Sequence, residues 1–130
     1  QIAKLLQKNN IDYLGVAYTD EATQLRASGI STPIMVLNPD LTDLTPYQED
    51  DIQPVIYSFA SLEKVINEDI VIHLEFDTGM RRLGFHKDDI SLLVFKLQAN
   101  TNLTVASVFS HLAASDDDSL DDFTQHHLSD

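Results

Sequence analysis

Short apolar runs alternate with amphipathic stretches five times along this 130-residue chain, and that order restricts the fold more than any other feature. Tyr13 to Ala17, Ile34 to Leu37 (opened by Pro33), Pro54 to Tyr57, Ile70 to Phe76 and Leu103 to Phe109 read as short buried strands. Ile2, Ala3, Leu5 and Leu6 suggest the end of a helix that closes at Asn9-Asn10. Thr19 or Asp20 can cap a helix through Ala22, Leu25 and Ala27, which Gly29 ends. Asn38-Pro39-Asp40 signals a loop, and Leu41 to Asp51 is irregular or a short helix. Ser61 to Ile66 and Asp88 to Leu97 are helical, the second with Ile90, Leu92, Leu93, Phe95 and Leu97 sampling its buried side. A last helix starts near Ser119.

Parallel neighbours need crossover connections, so this alternation predicts a parallel α/β sheet. Two architectures satisfy it. One is a complete open sheet of five strands; the other is part of a (β/α)8 barrel, which usually needs about 250 residues. Length favours the first. The leading helix, with no strand before it, weakens that preference.

Charge and composition remove several function classes. There are 21 acidic against 8 basic residues and a formal charge of -13, so no basic stripe exists to neutralise phosphates and no nucleic-acid partner is expected. The absence of cysteine rules out disulfides and thiolate metal sites and fits a cytoplasmic protein. No apolar run approaches the roughly eighteen residues of a membrane span. Lys4, Gln7 and Lys8 interrupt what would be a signal sequence, and the chain opens on Gln1 without a methionine, so it is expected to begin inside a longer polypeptide. Asp116, Asp117, Asp118, Asp121 and Asp122 read either as a cation or partner site or, more simply, as a solvated helix start. His73, His86, His111, His126 and His127 are scattered without the i, i+4 spacing of a zinc helix, so no metal site is expected.

The segment from His73 to Phe85 carries the most chemistry. Along the strand, Ile72, Leu74 and Phe76 point one way while Val71, His73, Glu75 and Asp77 point the other. Three ionisable groups on one strand face are costly to bury unless paired. A ligand-binding mouth at the carboxyl end of a barrel strand would gather them, and so would an edge strand facing water. Gly79 and Gly84 allow sharp turns after the strand.

Asp77-Thr78-Gly79-Met80 followed by Arg82-Leu83-Gly84-Phe85 resembles the alanine racemase motif D-T/S-G-M-x-R-L/I-G. The resemblance extends to Val16 through Ala22, Leu25-Arg26, Gly29-Ile30 and Pro33 through Leu37, which look like the family's second strand, its helix and its third strand. Ser110-His111-Leu112-Ala113, with Asp116, Phe123 and Gln125, resembles the family's S/T-H-F-A-x-A-D segment and the following helix. It implies that residues 1–130 are an internal part, roughly half, of the (β/α)8 barrel that binds pyridoxal phosphate. The implied activity is interconversion of L- and D-alanine for peptidoglycan precursors, by a bacterial homodimer acting on a small amino acid.

The same resemblance implies roles for individual residues. Arg82 would hydrogen-bond the cofactor's phenolic oxygen and help orient the substrate carboxylate, a task suited to a permanently charged, planar fork of donors. His111 would lie against the pyridine ring, and Leu37 would line the pocket or simply serve the core. Glu75 and Asp77 would support them. In many members the position two before the motif aspartate is a lysine that becomes carbamylated; here it is Glu75, already anionic, which is expected to accept hydrogen bonds from Arg82. The cofactor lysine would lie upstream of Gln1 and the opposing acid–base tyrosine downstream of Asp130, so the catalytic pair is expected outside this chain. Rival readings are a racemase for another amino acid, a non-catalytic cofactor-binding barrel, and a receiver-type domain. The last should end its fifth strand near a lysine rather than at Ser110-His111.

Overall fold

The structure, a computed structural model, describes residues 1–100, 102–113, 118–122 and 124–125. Five strands, β1 (Leu14–Tyr18), β2 (Ile34–Asn38), β3 (Ile52–Ile56), β4 (Val71–Phe76) and β5 (Thr104–Ser110), alternate with helices. These are α1 (Ile2–Lys8), α2 (Thr19–Ala27), α3 (Thr45–Glu49), α4 (Phe59–Val65) and α5 (Ile90–Gln98), with single 3-10 turns at Lys87–Asp89 and Asp118–Leu120.

Every pairing is parallel and the strands lie in the order β1-β2-β3-β4-β5. That order decides between the two architectures. A doubly wound sheet reverses direction at a switch point, which puts helices on both faces. Here each strand is laid beside its predecessor in one direction, so crossovers of one hand stack the helices on a single side. The result is a partial α/β barrel.

Burial follows the strand alternation. Ile34 and Val36 of β2, Ile52 and Ile56 of β3, and Ile72 and Leu74 of β4 pack with Ala22, Leu62, Val65 and Leu93 from the helices. The opposite side of the sheet carries Met35, Leu37, Gln53, Val55, His73 and Glu75. At the N-terminal ends of the strands the loops are stapled. The Arg26 guanidinium donates to the carbonyls of Ile30, Thr32, Asp50 and Asp51 at 2.6–2.9 Å, and the Gln7 side-chain oxygen accepts from the N–H groups of Ser31 and Thr32.

Three details depart from the sequence reading. The cap of α2 is neither Thr19 nor Asp20: the Glu21 carboxylate reaches back to the N–H groups of Ala17 and Tyr18, and the Thr19 hydroxyl is drawn away to Tyr47 at 2.7 Å. β3 starts at Ile52 rather than Pro54, because Ile52 and Gln53 pair with Ile34 and Met35. Pro54, with no N–H to donate, sits where pairing passes from β2 to β4. In α5 only Leu93 is buried, while Ile90, Leu92, Val94 and Phe95 are exposed, Phe95 by 70%. A helix touching a sheet along one line covers a narrow i, i+4 stripe, here Leu93 with the partly buried Leu97.

Of the acidic run, Asp121 and Asp122 are exposed, and Asp116 and Asp117 lie outside the described residues, as do Phe123, His126 and His127. Among the described residues no helix is long and apolar enough to cross a membrane.

Candidate functional site

β4 and β5 end together, with Phe76 paired to Ser110 in parallel register. The segments that follow, Asp77 to Phe85 and His111 onward, therefore leave neighbouring strands at the same rim. A parallel α/β barrel gathers its ligand-binding groups at this carboxyl rim.

Local hydrogen bonds give the first segment a fixed path. The Asp77 carboxylate accepts from the N–H groups of Gly79 and Arg81, each at 2.9 Å. The loop then returns to its origin: Asp77 N–H donates to the Phe85 carbonyl and Phe85 N–H donates to the Glu75 carbonyl. Closure is sealed by the Phe85 ring, fully buried and set edge-on to Phe59 with centroids 5.2 Å apart. The backbone has positive φ at Gly79 (147°), Arg81 (57°) and Gly84 (131°). At Gly84 a side chain is excluded outright, because a Cβ would overlap the backbone of Asp77 and Phe76.

This geometry places each residue singled out by the sequence. Arg82 rides on the closed loop and His111 follows the last residue of β5; both are exposed. Glu75 is buried on the inner face, one step before the rim. Burial pushes its carboxyl above the ordinary range, and the nearby charges of Arg82 and His111 oppose that rise. Arg82, His111 and Glu75 therefore share one electrostatic neighbourhood. The expected hydrogen bond from Arg82 to Glu75 is not formed; the two interact through space. Arg82 is exposed on the loop, whereas Glu75 is buried on the inner face of β4.

Asp77 serves the loop backbone. Burial would raise its carboxyl, but the N–H groups of Arg81 and Gly79, aided by His86, outweigh it and hold the pKa below the ordinary range. Leu37 is 42% exposed at the end of β2, on the face opposite the packed Val36 and two strands from β4. It belongs to the same inner wall but not to the immediate neighbourhood of Arg82.

The structure adds a polar row that sequence reasoning did not find. His73 is fully buried between β3 and β5: its Nε2 meets the Gln53 side-chain oxygen at 2.9 Å and its Nδ1 meets the Ser107 hydroxyl at 2.7 Å. Since the Gln53 oxygen can only accept, Nε2 carries the proton and Nδ1 accepts from Ser107. Tyr13 packs edge-on against the ring with centroids 5.2 Å apart. No spacing in the sequence signals this row, because its members are joined by strand register across 34 residues. A second tie, Thr78 to Ser110 at 2.7 Å between hydroxyl oxygens, joins the loop to the end of β5.

Burial lowers the His73 pKa, so the folded protein keeps the ring neutral where the unfolded chain takes a proton. The contribution of His73 is thus complete above about pH 6.5 and is lost as pH falls from there through the lower folded value. His73→Gln is expected to flatten the decline in urea midpoint between pH 7.5 and 5.5 relative to the parent. Identical slopes would show that His73 is not held neutral.

Among the described residues no group of His, Asp and Glu could hold a metal ion. The exposed guanidinium of Arg82 and the exposed imidazole of His111, at the same rim, have the chemistry to meet a planar, anionic ligand.

Comparison with known proteins identifies the family. The family described as alanine racemase, N-terminal domain, matches residues 1–130. The alanine racemase of Fusobacterium nucleatum is 34% identical over 93% of this chain and 35% of its own length. That of Clostridium kluyveri is 37% identical over 90% of this chain and 32% of its own length. Among solved structures, alanine racemase from Clostridium difficile superposes with a TM-score of 0.88 at 29% identity, covering 98% of this chain and 37% of that one. The chain spans about a third of the length of these relatives. The chain belongs to the alanine racemase N-terminal domain family.

Proposed function

We propose that residues 1–130 form one part of the barrel of a pyridoxal-phosphate-dependent alanine racemase and supply the wall against which the cofactor rests. The observation that carries this reading is the exit of Arg82 and His111 from the ends of adjacent parallel strands at one rim. When bound through its lysine, pyridoxal phosphate supplies the electron sink that makes the amino-acid α-proton removable.

The chain's own residues bind and orient. The Arg82 guanidinium would donate to the phenolic oxygen of the cofactor and would help orient the substrate carboxylate. The His111 imidazole would serve as a platform for the ring and not as a proton carrier. Leu37 excludes water from the apolar side. Glu75 keeps negative charge behind Arg82, and Asp77 holds the loop on which Arg82 rides. The acid–base lysine and tyrosine belong to the longer polypeptide, a cytoplasmic homodimer that makes D-alanine for bacterial cell-wall precursors.

The test is to express the full-length protein that carries this segment and follow conversion of L- to D-alanine with added pyridoxal phosphate. Racemisation is expected there. The 130-residue chain alone is expected to be inactive and to lack the visible absorbance of lysine-bound cofactor. Turnover by the short chain, or none by the long one, would overturn the assignment.

A further inference from the structure

We propose that the hydroxyl pair of Thr78 and Ser110 is a positioning clamp that sets the gap between Arg82 and His111. The inference deepens the proposed function and rests on it for the identity of the ligand in the gap.

Neither Arg82 nor His111 makes a side-chain hydrogen bond to another described residue, so each is placed by the backbone that carries it. For His111 that backbone is fixed by Ser110, its covalent neighbour and the last residue of β5. For Arg82 it is the loop held by the Asp77 carboxylate and closed through Phe85. The β4–β5 ladder stops at the Phe76–Ser110 pair. Beyond that point, among the described residues, the 2.7 Å contact between the Thr78 and Ser110 hydroxyls is the one side-chain hydrogen bond joining the loop to β5.

The contact sits where a small rotation has leverage. Thr78 lies four residues before Arg82 on a loop whose other end is anchored by Phe85. If the hydroxyls part, the loop can pivot about the Asp77 turn while both strands remain paired. The gap would then widen without unfolding the sheet. A ligand gripped from two sides loses its fit when the spacing of the grips changes, even if each grip is intact.

The experiment uses the full-length protein with Thr78→Val, Ser110→Ala, the double variant, and Thr78→Ser. Amide exchange of the cofactor-free protein reports the clamp itself. Pyridoxal-phosphate affinity and the KM for alanine report its consequence. Both single variants are expected to speed exchange on both sides of the tie, in residues 77–85 and at residues 111–113. They should also weaken cofactor affinity and raise KM by about five- to tenfold, the worth of one hydrogen bond. The double variant should be no worse than either single one, and Thr78→Ser should restore the parent's values.

Additive effects in the double variant, or faster exchange in the loop alone, would overturn the clamp. So would an unchanged affinity and KM in variants whose urea midpoint has fallen, since that is the mark of a merely structural bond. If the unsubstituted full-length protein does not bind pyridoxal phosphate, the proposed function fails instead, and coupled exchange across the tie still decides the clamp.

Discussion

Gly84→Ala is expected to cost the fold at least about 3 kcal/mol and to release the loop that carries Arg82. The penalty has two sources. A φ of 131° is strained for any residue with a side chain, and the new Cβ would overlap the backbone of Asp77 and Phe76. Neither atom can retreat cheaply, because Asp77 N–H is already bonded to the Phe85 carbonyl. The closure must open, and the fully buried Phe85 ring then loses its contacts with Phe59 and Phe76. Gly29→Ala provides the comparison, since its φ is 83° but nothing lies within 4 Å of the added carbon. That change should cost only about 1–2 kcal/mol, the backbone term alone. Urea unfolding of the two variants reads the difference, and equal losses would show that the overlap at Gly84 is relieved by some local shift.

Arg82→Ala should act on turnover and leave stability alone. In the full-length protein, kcat/KM for alanine racemisation is expected to fall by about a hundred- to a thousandfold, the usual loss when one preorganised donor to a developing charge is removed. Arg82→Lys should recover little, because an ammonium cannot present two donors in one plane to a ring oxygen and a carboxylate. The side chain is exposed and unbonded within the described structure, so the unfolding free energy should stay within about 0.5 kcal/mol of the parent. A variant that is fully active, or one that is inactive because it has unfolded, would remove Arg82 from its assigned place.

The sequence was most informative where local rules and tertiary demands coincide. Alternating runs and turn residues placed the five strands to within a few residues. Gly79 and Gly84 were read as turning points from their chemistry, and both have positive φ. The segment from Asp77 to Phe85 stood out by its resemblance to the family motif, and its closure, made by residues close together in the chain, is seen only in the structure. Other features were invisible for the opposite reason. The exposed side of α5 depends on where the neighbouring sheet surface ends, which apolar periodicity does not encode. Gln53, His73 and Ser107 meet only after β3, β4 and β5 have found their register. The direct bond expected between Glu75 and Arg82 rests on the resemblance and on opposite charge, neither of which fixes where the loop carries Arg82. In the structure Arg82 is exposed on the loop while Glu75 is buried in β4, and opposite sign did not become a hydrogen bond.

Strictly sequential strand order has a kinetic corollary. Each strand pairs with the one before it in sequence, across one helix-bearing crossover, the longest of which runs from residue 77 to 103 between β4 and β5. Loop-closure cost therefore differs from step to step, and the β4–β5 pairing is expected to be the slowest of the four.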